Sequence, residues 1–183
     1  ETFRLLWGRG YEFDYVSDQQ LAEASVCEGE LVMPGGRARA LIVPPCEVLP
    51  VETLARMIEM RERGVPVLFV SPVADTVPGK ASFDDRQERF QRLLEQIEPV
   101  ADLDASLSVL GIRREPLADR EGLLFIRRQH EDGCDYFVVN QGETPIDEYV
   151  SLSADFASVC LMDPMTGSGG KASVYPARRE VRI

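Results

Sequence analysis

The sequence predicts an α/β layer domain with a parallel sheet over residues 1–117 and a smaller antiparallel, sandwich-like β domain over 118–183. Two observations predict it. First, the apolar runs "RALIVPP" (39–45) and "VPVLFVSP" (65–72) flank a stretch of helical period. A continuous apolar run marks a strand covered on both faces, and strand–helix–strand closes a parallel pair with a right-handed crossover. Second, the helical period disappears after "REPLADREG". The runs "LLFIRRQ", "DYFVVNQ", "EYVSLS", "ASVCLM" and "KASVYP" then follow, short, β-rich and separated by turn residues.

Each element has its own reason. "ETFRLLWGRG" (1–10) reads as a strand or tail belonging to something upstream. In "GYEFDYVSDQQLAEA" (10–24), Ser17 and Gln20 form a capping box: the hydroxyl takes an orphan backbone N–H while the amide reaches back to the cap. Asp18 sits in the first turn, where the helix dipole favours an anion. Tyr11, Asp14 and Tyr15 are left over, a mixture of side chains suited to gripping a sugar. The glycines of "MPGGRA" (33–38) read as a hairpin or loop turn. Pro50 suits a first helical position, with Val51, Leu54, Ala55 and Ile58 as the apolar face. Glu52–Arg56 and Glu59–Arg63 are i,i+4 ion pairs, and Gly64 is the stop.

A further helix is signalled by a second capping box, Ser82 with Asp85, and by the stripe Phe90, Leu93, Leu94 and Ile97 ahead of Pro99. "ASLSVLGI" (105–112) is a last short helix. In the β-rich part, Asp132-Gly133 within "HEDGCDY" suits the positive φ of a primed hairpin turn, and "DPMTGSGG" (163–170) is a second turn. "RREVRI" is a strand scarcely begun, and both ends of the chain read as cut.

Composition restricts the function classes. The chain is 44% hydrophobic and 28% charged, an ordinary globular balance. Its net charge of −11 argues against a nucleic-acid partner, which needs a basic face to release counterions, and against anionic membrane surfaces. No apolar run reaches the ~18 residues of a spanning helix, and no signal-peptide pattern opens the chain. Cys27, Cys46, Cys134 and Cys160 lack metal-ligand spacing and read as buried small hydrophobes, so neither a metal nor a cofactor is expected.

Catalytic signatures are weak. Cys46, just after a strand, stands where a class I amidotransferase places its nucleophile, which makes residues 1–117 amidotransferase-like in outline. Yet a nucleophile elbow needs small residues, and this one reads "VPPCEVL". The one histidine, His130, lies on a hairpin of the β-rich part and reads as a surface residue. "GKAS" (79–82) lacks the first glycine of a P-loop. Glu47, Asp75 and Asp84 sit at strand ends, where open α/β sheets bind ligands, but a solvated loop explains each of them.

Read in order, "YEFDYVSDQQL", "GGRARALIVPPCEVLPVETLARMIEMRERGVPVLFV", "LLFIRRQHEDGCDYFVVNQ" and "VCLMDPMTG" resemble the non-catalytic region of large bacterial α-L-rhamnosidase-like glycoside hydrolases. In that family a "D-F-D-x-[VN]" segment leads out of the catalytic barrel, and a glycine-tyrosine turn enters a strand ending in proline, followed by a helix and "G-x-x-V". The resemblance implies a flavodoxin-like three-layer domain, which is also similar to the trimerisation domain of certain β-galactosidases, and then a β-sandwich. The sandwich carries "R-R-x-x-x-G-x-x-Y-F-x-x-N" and "D-P-x-T-G". Arg127, Arg128, Gly133, Tyr136, Phe137 and Asn140 match the first motif, with an extra residue or so in the spacing, and Asp163, Pro164, Thr166 and Gly167 match the second.

Arg37-Ala38 replaces the glycine-tyrosine step, and the barrel with its catalytic carboxylates is absent, so no catalytic residue carries over. The resemblance implies an accessory fragment for carbohydrate degradation, partnered by the catalytic barrel of its own polypeptide and located outside the cytoplasm, periplasmic or secreted. Carbohydrate and a homo-oligomer are further candidate partners. On this reading Tyr11, Asp14 and Tyr15 pack against that neighbour. The alternative is a carbohydrate-binding module in which Tyr11, Tyr15 and Tyr149 supply stacking faces. The Cys46 enzyme is the third reading.

Overall fold

Residues 1–183, described here from a computed structural model, form a mixture of helices and several small sheets, one of them parallel. In chain order, helix α1 (Thr2–Gly8) and helix α2 (Asp18–Glu23) lead into the antiparallel strands β1 (Ser25–Cys27), β2 (Glu30–Met33) and β3 (Gly36–Ala38). Strand β4 (Leu41–Val43), helix α3 (Val51–Glu62), strand β5 (Val67–Phe69), and helices α4 (Phe83–Leu94) and α5 (Leu103–Val109) follow. Beyond a 3-10 turn at Pro116–Asp119 come β6 (Leu123–Gln129), β7 (Cys134–Asn140), β8 (Tyr149–Ser151), β9 (Cys160–Met162), β10 (Gly169–Lys171), β11 (Val174–Tyr175) and β12 (Glu180–Arg182).

The chain forms two compact units: Asp14–Ile112, and Phe3–Phe13 together with Arg113–Ile183. The second grouping departs from the division at 117 expected from sequence, because residues 3–13 pack with the β-rich part.

In the unit 14–112, β4 and β5 pair in parallel register, Leu41 opposite Val67 and Val43 opposite Phe69, with α3 as the crossover. Both strands alternate buried and half-buried residues, as strands covered on two sides do. Single parallel bridges, Val48 to Thr76 and Val70 to Val100, extend the pair. This is a smaller parallel element than a flavodoxin-like layer. Helix α3 buries Val51, Leu54 and Ile58 as its period predicts, and Thr53, Met57 and Met60 as well, because it packs against α2 and α4 in addition to β5. Pro50 is its N-cap rather than its first helical residue. Of the two predicted ion pairs, Glu59–Arg63 forms at 3.7 Å. Glu52 instead faces Arg89 of α4 at 3.9 Å, while Arg56 pairs with Glu59 at 2.7 Å and donates to the Ala24 carbonyl at the end of α2.

The two predicted capping boxes part company. Ser17 has extended backbone (φ −82°, ψ 162°), and its hydroxyl accepts from the Gln20 N–H while the Gln20 side chain accepts from the Ser17 N–H. Ser82 sits in the left-handed region (φ 47°, ψ 40°), from which its hydroxyl makes no cap bond. An N-cap needs extended backbone to aim its oxygen at the first turn. Arg86 secures this helix start instead, its guanidinium donating to the carbonyls of Pro78, Gly79 and Ala81 at 2.7–2.9 Å.

In the other unit, residues 1–10 are not a strand or tail but a helix ended by a tight turn. Leu6 is the helix's one buried residue, and Phe3 stacks on Trp7 one turn away. Gly10 turns the chain at φ 77°, and a Cβ there would lie 2.5 Å from the Glu115 carbonyl oxygen, so only glycine allows the approach. Strands β6 and β7 form a seven-residue-a-side hairpin. Its register ends at Gln129–Cys134, and the His130 N–H donates to the Gly133 carbonyl at 2.8 Å. Neither Asp132 nor Gly133 has positive φ, so a wider loop replaces the primed turn. "RREVRI" supplies β12, the central strand of the sheet β11–β12–β8. "KASVYP" splits into the end of β10, the buried Ala172, and β11. Leu117, Leu123, Val150, Leu152, Ala172 and Val181 make the core of this unit.

Ser17→Ala is expected to lower the stability of the unit 14–112 by ~1 kcal/mol, and Ser82→Ala to change it by less than ~0.5 kcal/mol. Urea unfolding of both variants checks the contrast.

Candidate functional site

The alternation of β6 sends Leu123, Phe125 and Arg127 to one face, and the first two enter the apolar cluster of the unit. An arginine on that face must find an anion. Arg127 stands opposite Tyr136 of β7, and both turn to Glu115, whose side chain is 1% exposed. The Glu115 carboxylate accepts from the Tyr136 hydroxyl at 2.8 Å, Arg127 Nη1 at 3.2 Å, the Ser153 hydroxyl at 2.6 Å and the Ser153 N–H at 3.0 Å. Arg127 Nη1 also donates to the Ser153 hydroxyl. The other edge of the guanidinium grips Glu12 in a two-pronged pair, Nε to Oε1 at 3.0 Å and Nη2 to Oε2. Beside it the Glu115 N–H donates to the Gly10 carbonyl at 2.8 Å.

This arrangement is the most heavily bonded polar cluster of its unit, and it is closed. Ionic hydrogen bonding to Glu12 is the largest influence raising the Arg127 pKa above its ordinary value. Burial, then the bond to Glu115, pushes the Tyr136 phenol up to about 12. Arg127 stands between the two glutamates and donates to both, which is where a glycosidase would need room for its sugar. Ser153 is buried, gives its proton to Glu115 and has no histidine among its bonding partners. The bonds of this cluster fasten β6, β7, the stretch after β8 and the segment around Glu12 to one another.

The structure does not gather the residues singled out from sequence. Tyr11 is buried in the unit of the β strands, whereas Asp14 and Tyr15 lie exposed at the start of the other unit, Tyr15 at 78%. Cys46 is half-buried against the core of the unit 14–112, where no histidine occurs. His130 is exposed and pairs with Asp135 on its own hairpin, Nε2 to Oδ2 at 2.9 Å. Glu47, Asp75 and Asp84 are all exposed. Cys27 and Cys160 are exposed as well, contrary to the expectation of buried cysteines, because they lie on short strands whose outer faces nothing covers. No group of three or more His, Cys, Asp or Glu is placed to hold a metal ion, and no helix is long and apolar enough to cross a membrane.

Several residues that carry the family resemblance have structural duties. Asp163 closes the β9–β10 turn, its carboxylate accepting from the Met165 N–H at 2.8 Å and the Thr166 hydroxyl at 2.7 Å. The Thr166 bond is the first cause holding its pKa below the usual carboxylate value. Gly167 supplies the left-handed position of the same turn at φ 72°. Asn140 closes the loop after β7 by accepting from the Gly142 N–H and donating to the Thr144 carbonyl, both at 2.8 Å.

No protein-family model matches the chain, and no curated protein matches it. Among solved structures it is similar to a rhamnosidase from Novosphingobium sp. PP1Y, with a TM-score of 0.71 over 94% of this chain at 17% sequence identity. The chain spans 18% of the length of that rhamnosidase chain. The likeness is one of fold, and it covers the small sheets and helices of both units.

Glu115→Ala is expected to destabilise its unit by ~1–3 kcal/mol, since it takes the shared acceptor from the Tyr136 and Ser153 hydroxyls while Arg127 keeps its pair with Glu12. Tyr136 has a separate signature. Its proton is held more tightly when folded, so its stabilising contribution is intact below pH ~10, where an unfolded tyrosine begins to ionise, and is lost as pH rises towards about 12. Ultraviolet titration of the chain should show a late phase that is lost in Tyr136→Phe.

Proposed function

We propose that this chain is a non-catalytic accessory region of an α-L-rhamnosidase-like glycoside hydrolase, working beside a catalytic barrel in the same polypeptide. The observation that carries the reading is the fold likeness of 94% of the chain to 18% of a rhamnosidase chain. Two features of the chain support it. Its one buried carboxylate is saturated with donors, and Arg127 fills the space between that carboxylate and Glu12, so the paired acids of glycoside hydrolysis have no counterpart there. The outer face of the β6–β7 hairpin is apolar: Leu124 lies opposite Val139 and Ile126 opposite Phe137, all exposed. That is the surface a neighbouring domain would cover. On this reading β4–α3–β5 is a reduced counterpart of a flavodoxin-like layer, and the sheets after residue 122 are part of a β-sandwich.

The purified chain is expected to show no hydrolysis of aryl α-L-rhamnosides or β-galactosides above background. Turnover that disappears when one acidic residue of this chain is replaced would overturn the accessory reading.

A further inference from the structure

The sheet β11–β12–β8 has an outer face that neither the core nor the Glu115 cluster uses. Its alternation sends Val150, Val174 and Val181 towards the apolar core. Tyr149 and Arg182, directly paired across β8 and β12, face outward, as does Tyr175 on the far edge strand. The two tyrosines stand on strands that are not neighbours, yet their rings meet over the central strand, with centroids 4.8 Å apart and planes at 38°. They remain 40% and 50% exposed. A pair built only to stabilise a sheet gains most by being buried. This one keeps about half of each residue in water.

Polar groups rim the rings. Arg182 holds Asp147 in a two-pronged pair, Nε to Oδ1 at 2.7 Å and Nη2 to Oδ2 at 3.0 Å, which fixes a donor plane and an acceptor plane beside Tyr149. The guanidinium of Arg178 lies 5.7 Å from the Tyr175 ring centroid. The exposed edges of these groups offer both donors and acceptors.

We propose that this face binds pyranosides, with Tyr149 and Tyr175 as a stacking platform and Arg178 and the Asp147–Arg182 pair bonding the hydroxyls. A pyranose has an apolar C–H face and an equatorial girdle of hydroxyls, and it needs the combination found here, aromatic rings bordered by planar polar side chains. Other occupants fit less well. Nucleic acid is disfavoured by a net charge of −11. A stable protein interface buries ~800 Å² on each partner, well beyond two half-exposed rings. The inference extends the accessory reading from the absence of turnover to substrate capture, but it is tested by binding alone, so either can fail without the other.

The test is saturation-transfer NMR and calorimetry on the intact chain. The probes are methyl α-L-rhamnopyranoside, a neutral galactoside and a uronic-acid-containing oligosaccharide. The expected result is saturable binding of at least one probe, weakened about tenfold or more by Tyr149→Ala or Tyr175→Ala. Arg178→Met, which removes an exposed cation outside the core, should weaken binding without shifting the unfolding midpoint, and Tyr149→Phe should preserve it to within about threefold. Preference for the uronate would assign Arg178 to its carboxylate, and equal binding of the neutral sugars would assign it to hydroxyls; both support the site. No saturable binding to any probe, or binding that survives the double replacement Tyr149→Ala and Tyr175→Ala, overturns it.

Discussion

Glu115 places a carboxylate at 1% exposure, and taking such a group out of water costs several kcal/mol that only a full set of donors can return. The donors come from segments scattered along the chain: Arg127 and Tyr136 from the two strands of one hairpin, and Ser153 from the stretch after β8. Arg127 then carries the constraint outward to Glu12, while the backbone of Glu115 reaches Gly10. Three distant stretches are therefore held in a single register by one anion. This is why residues 3–13 belong with the β strands rather than with the α/β layer that follows them in sequence. Helix α1, at seven residues, is too short to persist alone.

The same reasoning accounts for how the other carboxylates of the chain are used. Carboxylates are abundant in this acidic chain, but many of those with partners are consumed in ion pairs and turns. Asp147 is held by Arg182, Asp155 by Arg179 and Arg113, and Asp119 by Arg114, each pairing lowering the carboxyl pKa. Asp163 serves its own turn. A group kept anionic by a permanent partner is poorly suited to donate a proton at neutral pH. The family-like residues Arg127, Tyr136, Asn140, Asp163 and Gly167 thus describe how a β domain is closed, and a resemblance resting on them speaks for fold.

Much of the α/β unit was legible in the sequence, because burial on two sides writes continuous apolar runs and helices write a 3.6-residue period. The strands at 41–43 and 67–69, the helix between them and its stop followed from those patterns. Backbone conformation is not written so directly. Ser17 and Ser82 precede equally good helix starts, and only φ separates the one that caps from the one that does not. Helix α1 was missed because it buries a single residue, Leu6, and depends on a glycine meeting Glu115 far along the chain. The Glu115 cluster was missed for the same reason, although Arg127 left a trace: in the alternation of "LLFIRRQ" it occupies an inward position, which demands a buried acceptor. Tyr11 and Tyr15, similar in sequence, part into a buried and an exposed role because the boundary between the two units falls between them.

The central claim is that one buried anion fastens the segment 3–13 to the β strands. Backbone hydrogen exchange in Arg127→Met, compared with the unaltered chain, tests it most directly. The account predicts that the amides of Glu115 and Ser153, bonded to Gly10 and to the Glu115 carboxylate, lose protection together with the Tyr11 amide at the end of α1. The amides of the β9–β10 hairpin, which lie outside the cluster, should change far less. Loss of protection at Ser153 alone, with Tyr11 and Glu115 exchanging as before, would contradict it.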